Sequence, residues 1–203
     1  MVKIVIMVWT YQSLIVGNML IDNDILDTEH NKQVLDWIVN NPNLDKFNNT
    51  TTQQDTDREA FAVTYCDDTL PDMLEFLRHE RTNVYNIVCI ITRQSGDIPE
   101  HVDDDFMCYM KTVDMPQYLI RPPHETCVYY VQIDPEMTGG ETVIADKKYP
   151  ATQNSTLTFP SDTPHAVTSM NSPNLPRVVL VCERYRLLKM CMSHLEFPIF
   201  RAG

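Results

Sequence analysis

The sequence lacks several features that would assign it to a membrane, zinc-binding or disulfide-bonded class. No stretch approaches the roughly 18 uninterrupted apolar residues of a membrane-spanning helix. The six cysteines form no CxxC pair and no tight cluster, so neither a zinc site nor a disulfide framework is indicated. Three of the cysteines lie in apolar, β-branched runs that are typical of buried free thiols: Cys89, Cys127 and Cys182.

The amino-terminal segment lacks the small-residue cleavage site of a secretory signal, and polar residues interrupt its apolar run, MVKIVIMVWTYQSLIVG. We therefore expect a strand or hairpin here rather than a signal peptide. The expected location is intracellular, in the cytoplasm, where cysteines stay reduced. We expect no association with membranes.

Basic residues are scarce: 16 Lys and Arg stand against 28 Asp and Glu, for a net charge of −12. Such a surface repels phosphate backbones, so nucleic acid is not an expected partner. The chain has 203 residues, of which 43% are hydrophobic, and this suits one domain with a core that needs no disulfide or metal. We predict a single domain over residues 1–203.

The first half of the chain predicts helices and loops. Apolar residues recur at near-helical spacing from Asp24 to Val39, and a second helix is expected from Pro71 to about Arg81. Between them, the Asn-rich segment from residue 40 to 57 is predicted to be an exposed loop.

The pattern of the second half predicts a series of short strands that begins at Val84. Gly139-Gly140 and other turn signals separate these segments, and the two glycines are expected to need positive φ. Several short strands in one domain predict a sandwich or barrel. The expected strands are VYNIVCIIT, TCVYYVQI, ETVIA, STLTF, HAVTS and RVVLVCERY.

Two metal-ligand types stand two positions apart at His101 and Asp103. On a strand, residues i and i+2 project to the same side, so both side chains can reach one ion. His165 offers a third ligand. Two histidines and one carboxylate on one face are typical of iron(II) sites with open coordination positions.

These motifs stand in an order that resembles the 2-oxoglutarate/iron(II) dioxygenases, especially the prolyl-hydroxylase-like branch. A strand, a glycine turn and HxD occur in IVCIITRQSGDIPEHVD; a TxxYYLN-like strand and a Gly-Gly-Glu-Thr turn occur in TCVYYVQIDPEMTGGETVI. The second histidine and an arginine occur in STLTFPSDTPHAVTSMNSPNLPRVVLV. The resemblance covers residues 87–184, although YLN is replaced here by YVQ.

The resemblance implies an α+β fold with a double-stranded β-helix (jelly-roll) core and N-terminal supporting helices. The implied regions are an N-terminal α/β support (1–83), a jelly-roll catalytic core (84–190) and a C-terminal tail (191–203). The implied metal ligands, which are also the catalytic residues, are His101, Asp103 and His165.

By the same resemblance, Arg177 and Tyr130 would bind the far carboxylate of 2-oxoglutarate. The fork of an arginine makes two charge-assisted hydrogen bonds to such a group. The implied cofactors are Fe(II), 2-oxoglutarate as co-substrate and O2, with ascorbate as a further candidate. Val181 stands where some relatives have a hydroxyl residue.

The implied reaction is hydroxylation of a protein side chain such as proline, with release of succinate and CO2, so a protein or peptide substrate is the expected partner. Two alternatives stay open: a nucleic-acid dealkylase of the same superfamily, and a jelly-roll binding module without turnover. Taken alone, His101 would fit a surface histidine beside acidic neighbours. His124 is a competitor, but Thr126 stands where its acid partner would be, so it is predicted at a strand entrance.

A long insert follows the first metal motif, from Asp104 to Pro123. It contains aromatic and methionine residues among acids, and long segments beside sites commonly form lids or binding surfaces. We expect it to shape substrate choice rather than metal binding.

Overall fold

The computed structural model describes residues 14–16, 19–46, 58–103, 110 and 121–188, and within these residues the chain is mainly antiparallel β-sheet. An eight-stranded sheet and a four-stranded sheet carry most of the chain, and a three-stranded sheet joins three short strands. Among the described residues, no helix has the length and apolar content that a membrane span requires.

The eight-stranded sheet has the order β1-β2-β12-β8-β15-β5-β4-β3. Its long central strands are rich in β-branched residues, which fit a pleated and buried surface. Its members are β1 (Leu14–Val16), β2 (Met19–Asn23), β3 (Asp45–Lys46), β4 (Arg58–Cys66), β5 (Val84–Thr92), β8 (Glu125–Gln132), β12 (Ser155–Phe159) and β15 (Arg177–Tyr185).

The four-stranded sheet has the order β11-β10-β13-β7, and the three-stranded sheet has the order β6-β14-β9. Strand β9 ends at Gly139, whose φ of 73° favours glycine, and a Cβ there would lie 1.8 Å from the carbonyl oxygen of Ser169. The positive φ predicted for the glycine pair is confirmed. The strands of the two sheets are β6 (Gln94–Ser95), β7 (Ile98–His101), β9 (Thr138–Gly139), β10 (Thr142–Ile144), β11 (Lys147–Tyr149), β13 (His165–Val167) and β14 (Met170–Asn171).

The α-helix α1 (Thr28–Val39) supports the large sheet. Asp27 caps its first turn, where a carboxylate oxygen accepts a hydrogen bond from the backbone N–H of His30 at 2.9 Å. Val34 and Ile38, one turn apart, are buried against the sheet.

The sequence predicted more than one supporting helix in the N-terminal region, and this prediction is not confirmed. The segment predicted as a second α-helix forms a 3-10 helix of only six residues, Asp72–Leu77. Pro71 precedes it, and the backbone at Arg78 is already extended. The predicted loop at 40–57 also differs, because residues 45 and 46 pair with β4; residues 47–57 lie outside the described residues.

Two apolar clusters lie on opposite faces of the large sheet. The outer cluster packs α1 and the 3-10 helix onto residues such as Phe61, Tyr129 and Leu180. The inner cluster fills the space between the large and the four-stranded sheet and includes Tyr130 and Val179. A core between two sheets agrees with the predicted sandwich or barrel.

Several sequence predictions are confirmed in detail. Strands β5, β12 and β15 have the predicted bounds, and the other three predicted strands lie within two residues of theirs. Cys89, Cys127 and Cys182 are buried free thiols, as expected. Most of the predicted insert (104–109 and 111–120) and all of the 191–203 tail lie outside the described residues.

Candidate metal centre

Two neighbouring strands of the four-stranded sheet bring the three predicted ligands together. Strand β7 ends at His101, β13 begins at His165, and the two histidines are direct partners in the antiparallel register. Their ring centroids lie 4.4 Å apart. Asp103 follows β7 by two residues, which returns its carboxylate to the side of the two imidazoles.

The three side chains converge on one point. Asp103 lies 3.7 Å from Nε2 of His101 through Oδ1 and 3.5 Å from Nε2 of His165 through Oδ2. One ligand atom from each residue lies within 4.8 Å of the other two. Atoms at right angles on one ion, with bonds of about 2.1 Å, stand about 3 Å apart, so only small side-chain shifts separate this set from coordination.

Backbone carbonyls orient both imidazoles. Nδ1 of His101 donates to the carbonyl of Pro99 at 2.9 Å, and Nδ1 of His165 donates to the carbonyl of Thr163 at 3.2 Å. Because a carbonyl only accepts, the proton of each neutral ring is fixed on Nδ1. Each Nε2 therefore presents a lone pair toward Asp103, in the tautomer that a metal ligand needs.

Burial differs among the three residues and affects their charge. The His165 side chain is 6% exposed and that of His101 is 38% exposed. Burial lowers the pKa of His165, and the Asp103 carboxylate offsets part of this effect. His165 is thereby kept neutral near pH 7, which is the form that binds a metal.

The carboxylate of Asp103 has one oxygen that no hydrogen-bond donor of the described residues satisfies. Its Oδ2 atom is buried and has no hydrogen-bond partner among the described residues. A buried anionic oxygen is costly unless a donor or cation compensates it. A divalent ion beside two imidazole nitrogens would supply that compensation, so the residues fit a metal with nitrogen and oxygen ligands.

A cavity of about 190 Å³ opens beside the three residues, between the large sheet and the four-stranded sheet. Its walls are mostly apolar, which suits the exclusion of water from a reactive site. The apolar walls come from Val88, Ile90, Ile98, Val128, Val167, Val179 and Val181.

Arg177, at the start of β15, lines this cavity and is only 6% exposed. Its Nε atom has no hydrogen-bond partner within the described part of the chain. The guanidinium carbon lies 5.8 Å from the centroid of the Tyr130 ring, which offers a cation–π contact. Burial lowers the pKa of Arg177, but a guanidinium remains protonated in proteins.

A second arginine, Arg58, lines the same end of the cavity and was not foreseen from the sequence. Arg58 on β4 and Arg177 on β15 are both register partners of Thr92 on β5, so they flank one strand. The signal that was missed is the alternation in β4, REAFAVTYC, which places Arg58 on the face of Ala60 and Ala62.

Tyr130 and Tyr129 face opposite sides of β8, as the strand period predicts. The Tyr130 hydroxyl is hydrogen-bonded to Oγ1 of Thr142 at 3.1 Å. Burial raises the pKa of Tyr130, while Arg177 lowers it, so the phenol stays protonated at neutral pH. The Tyr129 hydroxyl instead lies on the outer face, at hydrogen-bond distance from Oδ1 of Asn31 (2.7 Å) and from Oδ1 of Asn154 (2.8 Å).

The competitor His124 lies in a separate group with His79 and Glu125. It immediately precedes β8, at the strand entrance that the sequence predicted. Arg184 already binds the Glu125 carboxylate at 2.6 Å, and this second group is therefore the weaker candidate for a metal.

Comparisons with solved structures point to one fold. A viral collagen prolyl hydroxylase from Paramecium Bursaria Chlorella virus-1, in complex with 2-oxoglutarate, matches with TM-score 0.55 and 10% identity over 85% of this chain and 97% of its own. A Burkholderia pseudomallei oxidoreductase of the 2-oxoglutarate-Fe(II) oxygenase family matches with TM-score 0.53 and 11% identity over 84% and 86%. This chain has the fold of those oxygenases.

A third match is a Trichoplax adhaerens prolyl hydroxylase, solved in complex with a hypoxia inducible factor oxygen degradation domain peptide fragment. It has TM-score 0.52 and 15% identity over 83% of this chain and 84% of its own. No family model matches the sequence, and no curated protein matches it. The likeness therefore concerns the fold alone.

Proposed function

We propose that this protein is an Fe(II)- and 2-oxoglutarate-dependent dioxygenase that hydroxylates a protein or peptide side chain, such as a proline. One observation carries the proposal: His101, Asp103 and His165 converge on a cavity that also contains the buried guanidinium of Arg177. A metal-ligand set with open positions and a cation for a dicarboxylate are the two requirements of this chemistry. We further propose that the two facing sheets form a double-stranded β-helix.

In this proposal the three ligands hold the ion from one side, and Pro99 and Thr163 keep both imidazoles in the ligating tautomer. Iron(II), when bound, would supply the oxygen activation that accompanies splitting of 2-oxoglutarate to succinate and CO2. Arg177 would bind the far carboxylate of the co-substrate and set its orientation.

The remaining residues of the cavity have supporting roles. The Tyr130 hydroxyl would donate to the same carboxylate as Arg177. The valine and isoleucine walls would keep water from the reacting C–H bond. The buried free thiols agree with a reducing, intracellular compartment, which stays a prediction.

A peptide substrate is supported by the peptide bound to the Trichoplax hydroxylase. The net charge of −12 disfavours the nucleic-acid dealkylase alternative. A binding module without turnover would not require a buried Arg177 beside a ligand set, with an Nε atom that has no hydrogen-bond partner among the described residues.

The test measures iron binding by calorimetry and succinate release in the presence of Fe(II), 2-oxoglutarate, ascorbate and O2. We expect one iron per chain and a slow succinate release that accelerates with substrate. A peptide library read by mass spectrometry would then identify the side chain that gains an oxygen atom. Metal binding without any succinate release would favour the binding module.

A further inference from the structure

A row of polar residues crosses the inner face of the large sheet at the end remote from Arg177. Thr64, Asn86, Glu183 and Thr126 are successive register partners on β4, β5, β15 and β8. Residues paired in register project to the same face, so this row shares the inner face with Val88, Val128 and Val181. All four residues are buried.

Glu183 is the charged member of this row, and it lines the cavity although it is only 1% exposed. Its carboxylate accepts hydrogen bonds from Nδ2 of Asn86 at 3.1 Å and from the hydroxyl of Tyr185 at 2.6 Å. Thr64 donates to Oδ1 of Asn86 at 3.1 Å and so fixes the amide. Two donors therefore orient the carboxylate, and one of them, the Asn86 amide, is itself held by Thr64.

The cavity is therefore polarised along β15. Arg177 and Glu183 are six positions apart on the same strand face, a separation of about 20 Å. The Arg177 end, which also contains Arg58, attracts a dicarboxylate such as 2-oxoglutarate. The other end contains the Glu183 carboxylate, which disfavours a dicarboxylate and favours a group with a positive charge.

Thr126 gives an independent indication of a ligand at this end. It is the register partner of Glu183, it is fully buried, and its hydroxyl oxygen has no hydrogen-bond partner among the described residues. Buried hydroxyls are normally satisfied. A group with several N–H donors could contact the Glu183 carboxylate and the Thr126 oxygen together.

Resting on the proposed function, we propose that Glu183 and Thr126 form the substrate subsite and that they recognise a protonated amine or guanidinium. The substrate is then a basic residue, or a residue beside one, in a peptide or a free amino acid. The net charge of −12 supports a basic substrate, because an acidic protein attracts cations before they reach the site.

The experiment compares the parent with Glu183→Gln, which keeps the size of the side chain and removes its charge. Asp146→Asn is the matched control, since it removes one charge from an exposed turn where φ is 63°, a value that asparagine also adopts. Substrates are peptide pairs with lysine or norleucine, and arginine or citrulline, at one position; free lysine and free arginine form a separate arm.

We expect the parent and Asp146→Asn to prefer the basic member of each pair by about tenfold or more, as a charged hydrogen bond allows. Glu183→Gln should lose that preference, so it should turn over the basic and the neutral member of each pair at similar rates. A preference for neutral peptides in the parent, or an unchanged preference in Glu183→Gln, would overturn the subsite. Turnover of free amino acids but not peptides would identify the smaller substrate.

Thr126→Val provides a second measurement if Glu183→Gln does not fold. This change keeps the shape of the residue and removes the hydroxyl, and it should raise KM for the basic substrate severalfold with little change in kcat. An unaltered KM would contradict the role of Thr126. Absence of succinate release in the parent would instead refute the proposed function, and calorimetric binding of the peptide pairs would still decide the subsite.

Discussion

The two faces of strand β15 carry different kinds of residue, although they alternate along the same nine positions. The outer face packs against the cluster beneath α1, and it consists of Val178, Leu180 and Cys182. The inner face lines the cavity with Arg177, Val179, Val181 and Glu183. Because side chains alternate between the two faces, the residues that stabilise the core are separate from those that line the cavity. Substitutions on the outer face should affect the free energy of unfolding, and those on the inner face should affect ligand binding and turnover.

The largest effect on turnover is expected from a substitution in the four-stranded sheet, which forms the opposite wall of the cavity. His165→Ala should abolish tight iron binding and reduce turnover by at least about a thousandfold, because one of three ligands is lost. Iron content and succinate release measure this. His124→Ala is the control and should retain both. Stoichiometric iron with full activity in His165→Ala would refute the ligand assignment.

On the outer face, Leu180→Ala should lower the free energy of unfolding by about 2–5 kcal/mol, since it leaves a cavity in the buried cluster. Chemical denaturation measures the loss. The iron affinity and the apparent constant for 2-oxoglutarate should stay close to those of the parent at a temperature where the variant is folded. A selective change in co-substrate affinity would mean that the two faces are not separate.

On the inner face, Arg177→Lys keeps the charge but loses the two-pronged geometry. The apparent constant for 2-oxoglutarate should rise by about tenfold, which equals about 1.4 kcal/mol. Iron affinity should not change. Arg184→Lys is the matched control, because Arg184 lies on the same strand and binds Glu125. If only the control weakens co-substrate binding, the carboxylate is held elsewhere.

The smallest effect concerns the two adjacent tyrosines of β8. Tyr130→Phe should raise the apparent 2-oxoglutarate constant by about fivefold, which corresponds to one neutral hydrogen bond of about 1 kcal/mol. Tyr129→Phe removes hydrogen bonds to Asn31 and Asn154 and should instead lower the free energy of unfolding by about the same amount. Equal effects on both measurements would contradict the assignment of faces.

Local sequence patterns predicted the elements whose signals are local. Strands β5 and β15 are continuous β-branched runs, and their bounds followed from those runs. The helix near residues 28–39 followed from apolar spacing, but its start at Thr28 depends on the Asp27 cap. The segment at 72–77 has helical spacing too, yet it is too short to leave the 3-10 form.

The candidate metal ligands were predictable because HxD and the second histidine occur along the chain in the same order as in the family that the sequence resembles. Arg58, Thr142 and Glu183 were not identified as site residues, because strand register rather than sequence spacing brings them to the cavity. Thr126 was not identified either, since only the strand register pairs it with Glu183. Strand β4 was missed altogether, since Glu59, Ala60 and Ala62 have weak β propensity. Long-range pairing with β5 outweighs that weakness.

Strand β7 forms an edge of the four-stranded sheet and pairs with β13 within the described part of the chain. Because His101 and His165 face each other across that pair, a shared ion would tie the edge strand to its neighbour. Local opening of β7 would then require release of the ion, at a cost of about 2.7 kcal/mol when free metal is a hundredfold above its Kd. Amide hydrogen exchange over Ile98–His101 would thus report iron supply directly, without substrate or turnover.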